Sequence, residues 1–366
     1  MTAPYRSVLV TPNLLGADGV SCLSRQIALA LPQPSIVLSL HDDPVRGGDS
    51  LAPGQSRISA GGHRLRFLAL AMRVALRCER ATTIVCGHVH LAAVARAMAW
   101  RGARVIHVLC GIEAWVPLRA AERWALAAGR LVAISRHTAQ RFRDANPQFA
   151  GAPIDVCHPG LPARAPEGPM TATEPAALIV GRLAADEGYK GHDLLLEAWP
   201  GILEHHTDAR LWIVGDGDDR RRLESLAARL GLGRAVTFMG HVSDRELDAL
   251  YWRCGFFVMP SLHEGFGLVF LEAMRAGKAC IGAIGAASEI IEHGVTGLIV
   301  DPSRPEDVRA AVSRLFDEPE TCETFGRAGA ARFRAEFTDA RFRARFAAVI
   351  PTAGVPAQLP AADRCA

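Results

Sequence analysis

The sequence predicts an α/β protein built from two doubly wound parallel-sheet domains, and three observations carry that expectation. Eleven short β-branched or aliphatic runs recur along the chain, each followed by a turn and a helical stretch. Strands alternating with amphipathic helices imply parallel sheets covered on both faces. The length of 366 residues suits two domains, since one domain takes roughly 100–200 residues. The charge also changes sign along the chain. Through residue 168, 19 Arg and no Lys stand against 10 Asp+Glu (+9), and the remaining 22 basic residues stand against 28 acidic ones (−6).

The first five runs, SVLVTP, SIVLSL, ATTIVCG, RVIHVLC and LVAIS, predict the strands of one sheet. A proline-rich stretch follows, HPGLPARAPEGPMTATEPAA, with prolines at 159, 162, 166, 169 and 175. Proline fixes φ and lacks an N–H, so this stretch is neither regular helix nor central strand. It is the expected domain boundary, with an N-terminal domain over 1–165 and a C-terminal domain over 166–338. Then AALIVG, RLWIVG, AVTFMG, GFFVMP, KACIGAIG and TGLIV predict the second sheet. Beyond Val300, DPSRPEDVRAAVSRLFDEP predicts a helix opened by Pro305, Glu306 and Asp307. An arginine-rich helix over about 339–350 is expected to pack back on the first domain. The tail from Pro351 is expected to fray.

With 49% apolar, 22% charged and 6% aromatic residues, the chain is an ordinary globular one, neither disordered nor fibrous. Nine cysteines, an odd number with no CxxC pair, lie in apolar segments. That usage predicts buried reduced thiols and a cytoplasmic protein, not a disulfide framework or zinc site. The opening MTAPYRSVLVTPNLLGADGV reads as a strand and turn, not a signal peptide. No run reaches the roughly 18 apolar residues needed to cross a bilayer, so any membrane contact is expected to be peripheral. No nucleic-acid partner is expected from a net charge of +3.

The chemistry concentrates in PSLHEGFGLVFLEAMRAG. A strand ends in a loop bearing Glu264, then Gly265, Phe266 and Gly267, then a helix carrying Glu272. A glycine at such a helix start lets backbone N–H groups and the helix dipole approach an anion, and a phosphate fits there. Carboxylates on either side could accept hydrogen bonds from the hydroxyls of two sugars joined through a diphosphate. In ALIVGRLAADEGYKGHDLLLEAW, Arg182 closes a strand and Lys190 lies in a glycine-flanked loop. Two fixed cations at strand ends suit a diphosphate. Lys190 is one of two lysines beside 39 arginines.

Gly215, Asp216 and Gly217 invite a dinucleotide-binding reading, but Arg220 occupies the place of the third glycine. Asp216, Asp218 and Asp219 are read as helix-start acids, not a metal cluster. The Gly215–Gly217 backbone is expected to pass near a nucleotide.

These residues resemble the family-four, GT-B-fold retaining glycosyltransferases, and the likeness runs from about Pro12 to about Val349. It rests on the order and spacing of VGRL…KGHDLLLEAW, LWIVGDGD…L, FMGHV, PSLHEGFGLVFLEAMRAGK and GVTGLIVDP. The resemblance implies two Rossmann-like domains facing an interdomain cleft, with a nucleotide-sugar donor held mainly by the second. Arg182 and Lys190 would meet the diphosphate, Glu264 the donor sugar and Glu272 the ribose. The Phe266, Gly267 and Leu268 backbone would lie near the phosphates, and Gly240, His241 and Val242 against the base. No cofactor and no catalytic metal would be needed, since the two cations stabilise the leaving group. NLLGADGVS looks like the family's first glycine loop, with Gly19 near the donor phosphates. Where many relatives have His-Gly-Ile-Glu, this chain has Cys110, Gly111, Ile112 and Glu113. His88 or His107 is a candidate substitute for that histidine. LVAISRHTAQRF resembles the strand and helix before the hinge, with Ser135 at the strand end.

The implied reaction moves a sugar to an acceptor hydroxyl with retention, the departing phosphate taking the acceptor proton on the same face. The acceptor is sought on the basic first domain. ISAGGHRLRFLALAMRVALRCER carries Arg57, Arg64, Arg66, Arg73, Arg77 and Arg80 against Glu79. Such a basic, apolar-faced helix suits an anionic membrane surface or a polyprenyl-diphosphate acceptor, as in bacterial surface polysaccharide synthesis, and equally suits a core helix with a solvated arginine face. Rival readings are a nucleotide-sugar epimerase on the same architecture and an inactive nucleotide-sugar sensor.

Overall fold

The protein is described from a computed structural model covering residues 4–16, 18–45, 52–163 and 174–350. Residues 164–173, the middle half of the proline-rich boundary stretch, and the tail from Pro351 lie outside the described residues. The chain divides into two compact units. One holds the residues through Ile134, Ala139–Cys157 and the residues from Arg341, and the other holds Ser135–Thr138 and His158–Ala340. The division after Cys157 falls upstream of residue 165, and the second unit also takes a short piece at Ser135.

The first stretch of chain runs β1 (Ser7–Thr11), α1 (Gly19–Ala30), β2 (Ser35–Ser39), β3 (Gln55–Ser59), α2 (Arg64–Ala75), β4 (Thr83–Cys86), α3 (Ala92–Met98), β5 (Arg104–Leu109), α4 (Ala120–Leu126), β6 (Arg130–Ala133), α5 (Arg136–Ala145) and β7 (Ile154–Val156). The strands form one parallel sheet ordered β3-β2-β1-β4-β5-β6-β7. Val8, Leu9, Val10, Ile84, Val85, Ile106 and Val108 are buried at its centre, as β-branched and aliphatic side chains on a sheet covered on both faces should be. Asp18 caps α1 by accepting from the Ser21 N–H at 3.0 Å.

The second stretch runs β8 (Ala176–Val180), α6 (His192–Leu203), β9 (Arg210–Val214), α7 (Arg220–Arg229), β10 (Val236–Gly240), α8 (Asp244–Arg253), β11 (Phe256–Met259), α9 (Leu268–Arg275), β12 (Ala279–Ala283), β13 (Gly297–Val300), α10 (Pro305–Asp317), α11 (Pro319–Glu336) and α12 (Asp339–Val349). Its parallel sheet is ordered β10-β9-β8-β11-β12-β13. In both sheets the order grows one way through three strands and then reverses, at β1/β4 and at β8/β11. Right-handed crossovers on either side of such a reversal place helices on opposite faces. The carbonyl of Val349 in α12 accepts from Arg130 Nη1 at 2.9 Å within the first unit.

All eleven expected runs are strands, and two more appear. β3 is an edge strand of mixed polarity, Gln-Ser-Arg-Ile-Ser, and β7 is three half-buried residues at the opposite edge. Neither carries the apolar run that signals a buried strand. The eight cysteines among the described residues are free thiols. No described helix is long and apolar enough to cross a membrane.

Candidate functional site

Ligands of open parallel sheets bind beyond the strand carboxyl ends, where the strand order reverses. In the second unit that point lies between β8 and β11, and the sequence puts its charged candidates on the two segments leaving those strands.

After β8 the chain passes Gly181 and Arg182 and forms a 3-10 turn over Ala185–Lys190. Glu187, within that turn, is buried and holds both cations. One carboxylate oxygen accepts from Arg182 Nη2, and the other lies 2.9 Å from Lys190 Nζ. The Lys190 stem lies over Gly181, where an added Cβ would stand 3.1 Å from the Lys190 Cδ. The turn ends at Gly191 with φ +88°, and a side chain there would meet Pro260 at 2.8 Å. The Leu262 N–H donates to the Tyr189 carbonyl at 2.9 Å. The segments after β8 and β11 are thereby tied together.

Glu264 stands on that second segment. Its side chain keeps some access to solvent, yet the surrounding protein desolvates it enough to raise its pKa to about 7. The Lys190 charge works against the rise, and Glu187 adds to it. Near neutrality Glu264 is therefore able to donate as well as accept a hydrogen bond. The next residues are pinned from within the same unit. The Gly265 carbonyl accepts from Ser135 Oγ (2.6 Å) and Thr138 Oγ1 (3.0 Å), and the His158 ring stacks on buried Phe266. Glu289 holds the other side, accepting from the Arg136 and His137 N–H groups and lying 2.8 Å from His158 Nε2.

Gly267 is the residue before α9, with φ +99°, and a side chain there would strike the Phe270 ring at 2.6 Å. No side chain caps the helix start at Leu268, and the Phe270 N–H is taken by the Gly267 carbonyl at 3.1 Å; such an uncapped, positive helix end suits an anion. One turn into α9, Glu272 Oε2 accepts from the Tyr251 hydroxyl at 3.0 Å. Burial raises the Glu272 pKa, and the Tyr251 hydrogen bond moderates the rise.

The glycines after β9 have a steric cause in the fold. A Cβ on Gly215 (φ +134°) would lie 1.8 Å from the Gly181 carbonyl oxygen, and one on Gly217 would lie 2.1 Å from that of Leu183. The Gly215 N–H donates to the Gly240 carbonyl at 2.9 Å, which brings His241 and Val242, just past β10, beside the β9 loop. The neighbouring acids do not cap α7 as expected. Asp219, at the cap position, makes no cap hydrogen bond because Arg222, three residues on, takes its carboxylate. Asp218 accepts instead from the Ala185 N–H at 2.9 Å. Among the described residues, no group of three or more His, Cys, Asp or Glu is placed to hold a metal ion.

In the first unit, Gly19, His88, Cys110 and Glu113 lie past the carboxyl ends of β1, β4 and β5. Glu113 Oε1 accepts from the Cys110 N–H at 2.9 Å, and the Cys110 thiol donates to the Gly87 carbonyl at 3.2 Å. Burial, with Glu113 close by, pushes the Cys110 thiol well above its usual range, so it stays neutral. Glu113 is likewise raised by burial. His88 Nδ1 accepts from the His90 N–H at 3.3 Å, and burial lowers its pKa to about 4. His107 does not join this group. It lies inside β5, 1% exposed, with its ring in the space that a side chain at Gly129 would fill. Of the two candidate substitutes for a histidine at position 110, the strand ends hold only His88.

Glu187, Thr138, Glu289 and the contact role of Ser135 carry no signal in the sequence. Glu187 reads as one more surface acid in AADEGYK, and only the fold shows it between two cations.

Residues 166–332 match the family described as Glycosyl transferases group 1. Under half of the chain thus resembles a glycosyltransferase group 1 domain. An uncharacterized glycosyltransferase of Methanocaldococcus jannaschii is 40% identical over 146 residues, covering 40% of this chain and 36% of that protein. The D-rhamnosyltransferase WbpZ of Pseudomonas aeruginosa is 40% identical over 154 residues, covering 41% and 39%. The matches thus span well under half the length of these relatives. Among solved structures, Anabaena HepE in complex with UDP and glucose superposes with a TM-score of 0.76 at 19% identity, over 94% of this chain and 99% of that one. At that identity the likeness establishes the fold, a GT-B arrangement of two parallel-sheet α/β domains. The matched stretch contains Arg182, Lys190, Glu264 and Glu272.

Proposed function

We propose that the protein is a metal-independent retaining glycosyltransferase that moves a sugar from a UDP- or GDP-sugar to a hydroxyl of a glycan or polyprenyl-diphosphate-linked acceptor, in bacterial surface polysaccharide synthesis. The observation that carries this reading is the Arg182–Glu187–Lys190 cluster beside Glu264 at the β8/β11 reversal, inside the matched stretch. Two cations held by one buried acid suit an incoming diphosphate, which replaces a single carboxylate with a more highly charged partner for both.

In the reaction, the bond from the sugar's anomeric carbon to the diphosphate oxygen breaks. A bond from the same carbon to the acceptor oxygen forms on the same face. The acceptor proton passes to the departing diphosphate. Arg182 and Lys190 stabilise the charge growing on that group, assisted by the positive end of the uncapped α9 start behind Gly267. Glu264 binds the hydroxyls of the transferred sugar, and Glu272, steadied by Tyr251, binds the ribose. His241 and Val242 line the base.

Relatives supply context without fixing the substrates, since WbpZ is named for transfer of rhamnose and HepE was solved with UDP and glucose. The test is calorimetric titration with UDP, GDP and ADP, followed by turnover of the matching nucleotide-sugar with and without acceptor lipid. Binding of one diphosphate and acceptor-dependent release of it support the reading. Acceptor-independent conversion of the donor would instead identify an epimerase.

A further inference from the structure

Helix α2 has two apolar faces where a surface helix needs one. Phe67, Ala71, Val74 and Ala75 pack inward. Leu65, Leu68, Met72 and Leu76, spaced three or four apart and therefore on one side of the helix, are 83%, 51%, 60% and 56% exposed. The stripe has neighbours. α2 packs beside α3, and α3 beside α4. Trp100, just past α3, and Trp124, on α4, are 64% and 56% exposed. Each indole has a guanidinium over its ring, Arg101 at 5.8 Å from Trp100 and Arg96 at 5.6 Å from Trp124. Arg101 also donates to the Leu76 carbonyl at 2.7 Å, joining the end of α2 to the Trp100 corner.

The charge on this layer is one-sided. Arg64, Arg66, Arg73, Arg80, Arg101 and Arg123 are exposed, and of the acids on the same helices and their ends Glu122 is buried and Glu79 is exposed. Aliphatic side chains flanked by arginines, with indoles at the margin, match the layered chemistry of a bilayer surface, where acyl chains lie under anionic headgroups. A protein partner of ordinary composition offers no matching excess of negative charge.

We propose that the outer face of α2, α3 and α4 seats the first unit on an anionic lipid bilayer, Leu65, Leu68, Met72 and Leu76 entering the headgroup boundary. This goes beyond the transferase reading and stands or falls apart from it, because binding to vesicles needs no donor or turnover.

The test is flotation of the full chain with vesicles of phosphatidylcholine alone and of phosphatidylcholine with phosphatidylglycerol. The chain is expected to float with the anionic vesicles at low salt, to be released as salt screens the headgroups, and to sink with the neutral ones. Leu68→Ser with Met72→Ser, and separately Trp100→Ser, should each reduce bound protein at least tenfold without lowering Tm, since the side chains are exposed. Arg66→Ser and Arg73→Ser should weaken binding about fivefold each, and these surface changes serve where an apolar variant is unstable. A chain that sinks with anionic vesicles at low salt overturns the proposal, as do variants that float like the parent. A dimer in light scattering that Met72→Ser dissociates also overturns it, since a second copy would then cover the face.

Discussion

Glu187 is shared between Lys190 and Arg182, with its two carboxylate oxygens each committed to one cation. Lys190 is the better sheltered of the pair, so the acid fixes its ammonium in place more firmly than it fixes the largely exposed Arg182. Glu187→Ala is expected to leave the Lys190 charge with no fixed partner, lowering kcat about tenfold and Tm by several degrees. Glu187→Gln keeps the shape and a carbonyl acceptor, so Tm should recover more than kcat. Equal loss of kcat and Tm in both variants would show that the acid is structural alone.

Lys190→Ala and Glu264→Ala should both fold and lose turnover. A charge-assisted contact to a developing anion is worth about 2–4 kcal/mol, or roughly 30- to 1000-fold in rate. Steady-state rates at saturating donor measure this, and near-parental turnover in either variant would remove that residue from the site.

Glu264 and the buried histidines pull stability in opposite directions with pH. Glu264 has a folded pKa near 7, above the ordinary 4.5, so its neutral form favours the fold and its contribution declines as pH rises from about 4.5 to 7. His88, His107 and His192 are lowered by burial to about 4, so the unfolded chain takes up their protons first and the fold gains stability as pH rises from about 4 to 6.5. Melting curves across pH 4–8 should show a steep acid limb, softened by His107→Leu. Glu264→Gln should remove the opposing decline below pH 7, and an unchanged pH profile would mean that Glu264 titrates like a surface acid.

Gly215→Ala should cost on the order of 3 kcal/mol, because the backbone is left-handed at φ +134° and the new Cβ would lie 1.8 Å from a carbonyl oxygen. Denaturant titration measures it. Gly233→Ala, where an added Cβ meets nothing within 4 Å, is the control and should change little.

Most of the fold was legible because buried parallel strands are dense in β-branched and aliphatic residues. β3 and β7 were not, since each pairs along one edge and is mostly half-buried, without an apolar run. α11 hides its inward face behind glycines, with Gly326 so close to the Gly277 carbonyl that a Cβ there would lie 2.0 Å from the oxygen. Glycine contributes little to an apolar periodicity. In the candidate site, the position of Arg182, Lys190 and Glu264 on the segments leaving β8 and β11 could be read from the sequence. Glu187 could not, because an acid's partners come from the folded turn. His107 misled for the same reason, since a histidine in an apolar run looks alike whether it faces a ligand or the core.

The close approaches at Gly215 and Gly217 have a practical consequence for redesign. Residues 181–184, 215–219 and 240–242 share one backbone seam, in which Gly240 is bonded to Gly215 and Gly215 abuts Gly181. An exchange of the 240–242 loop alone, made to recruit a different nucleotide, would import a loop shaped for another seam. Transplants should move the three segments as one cassette.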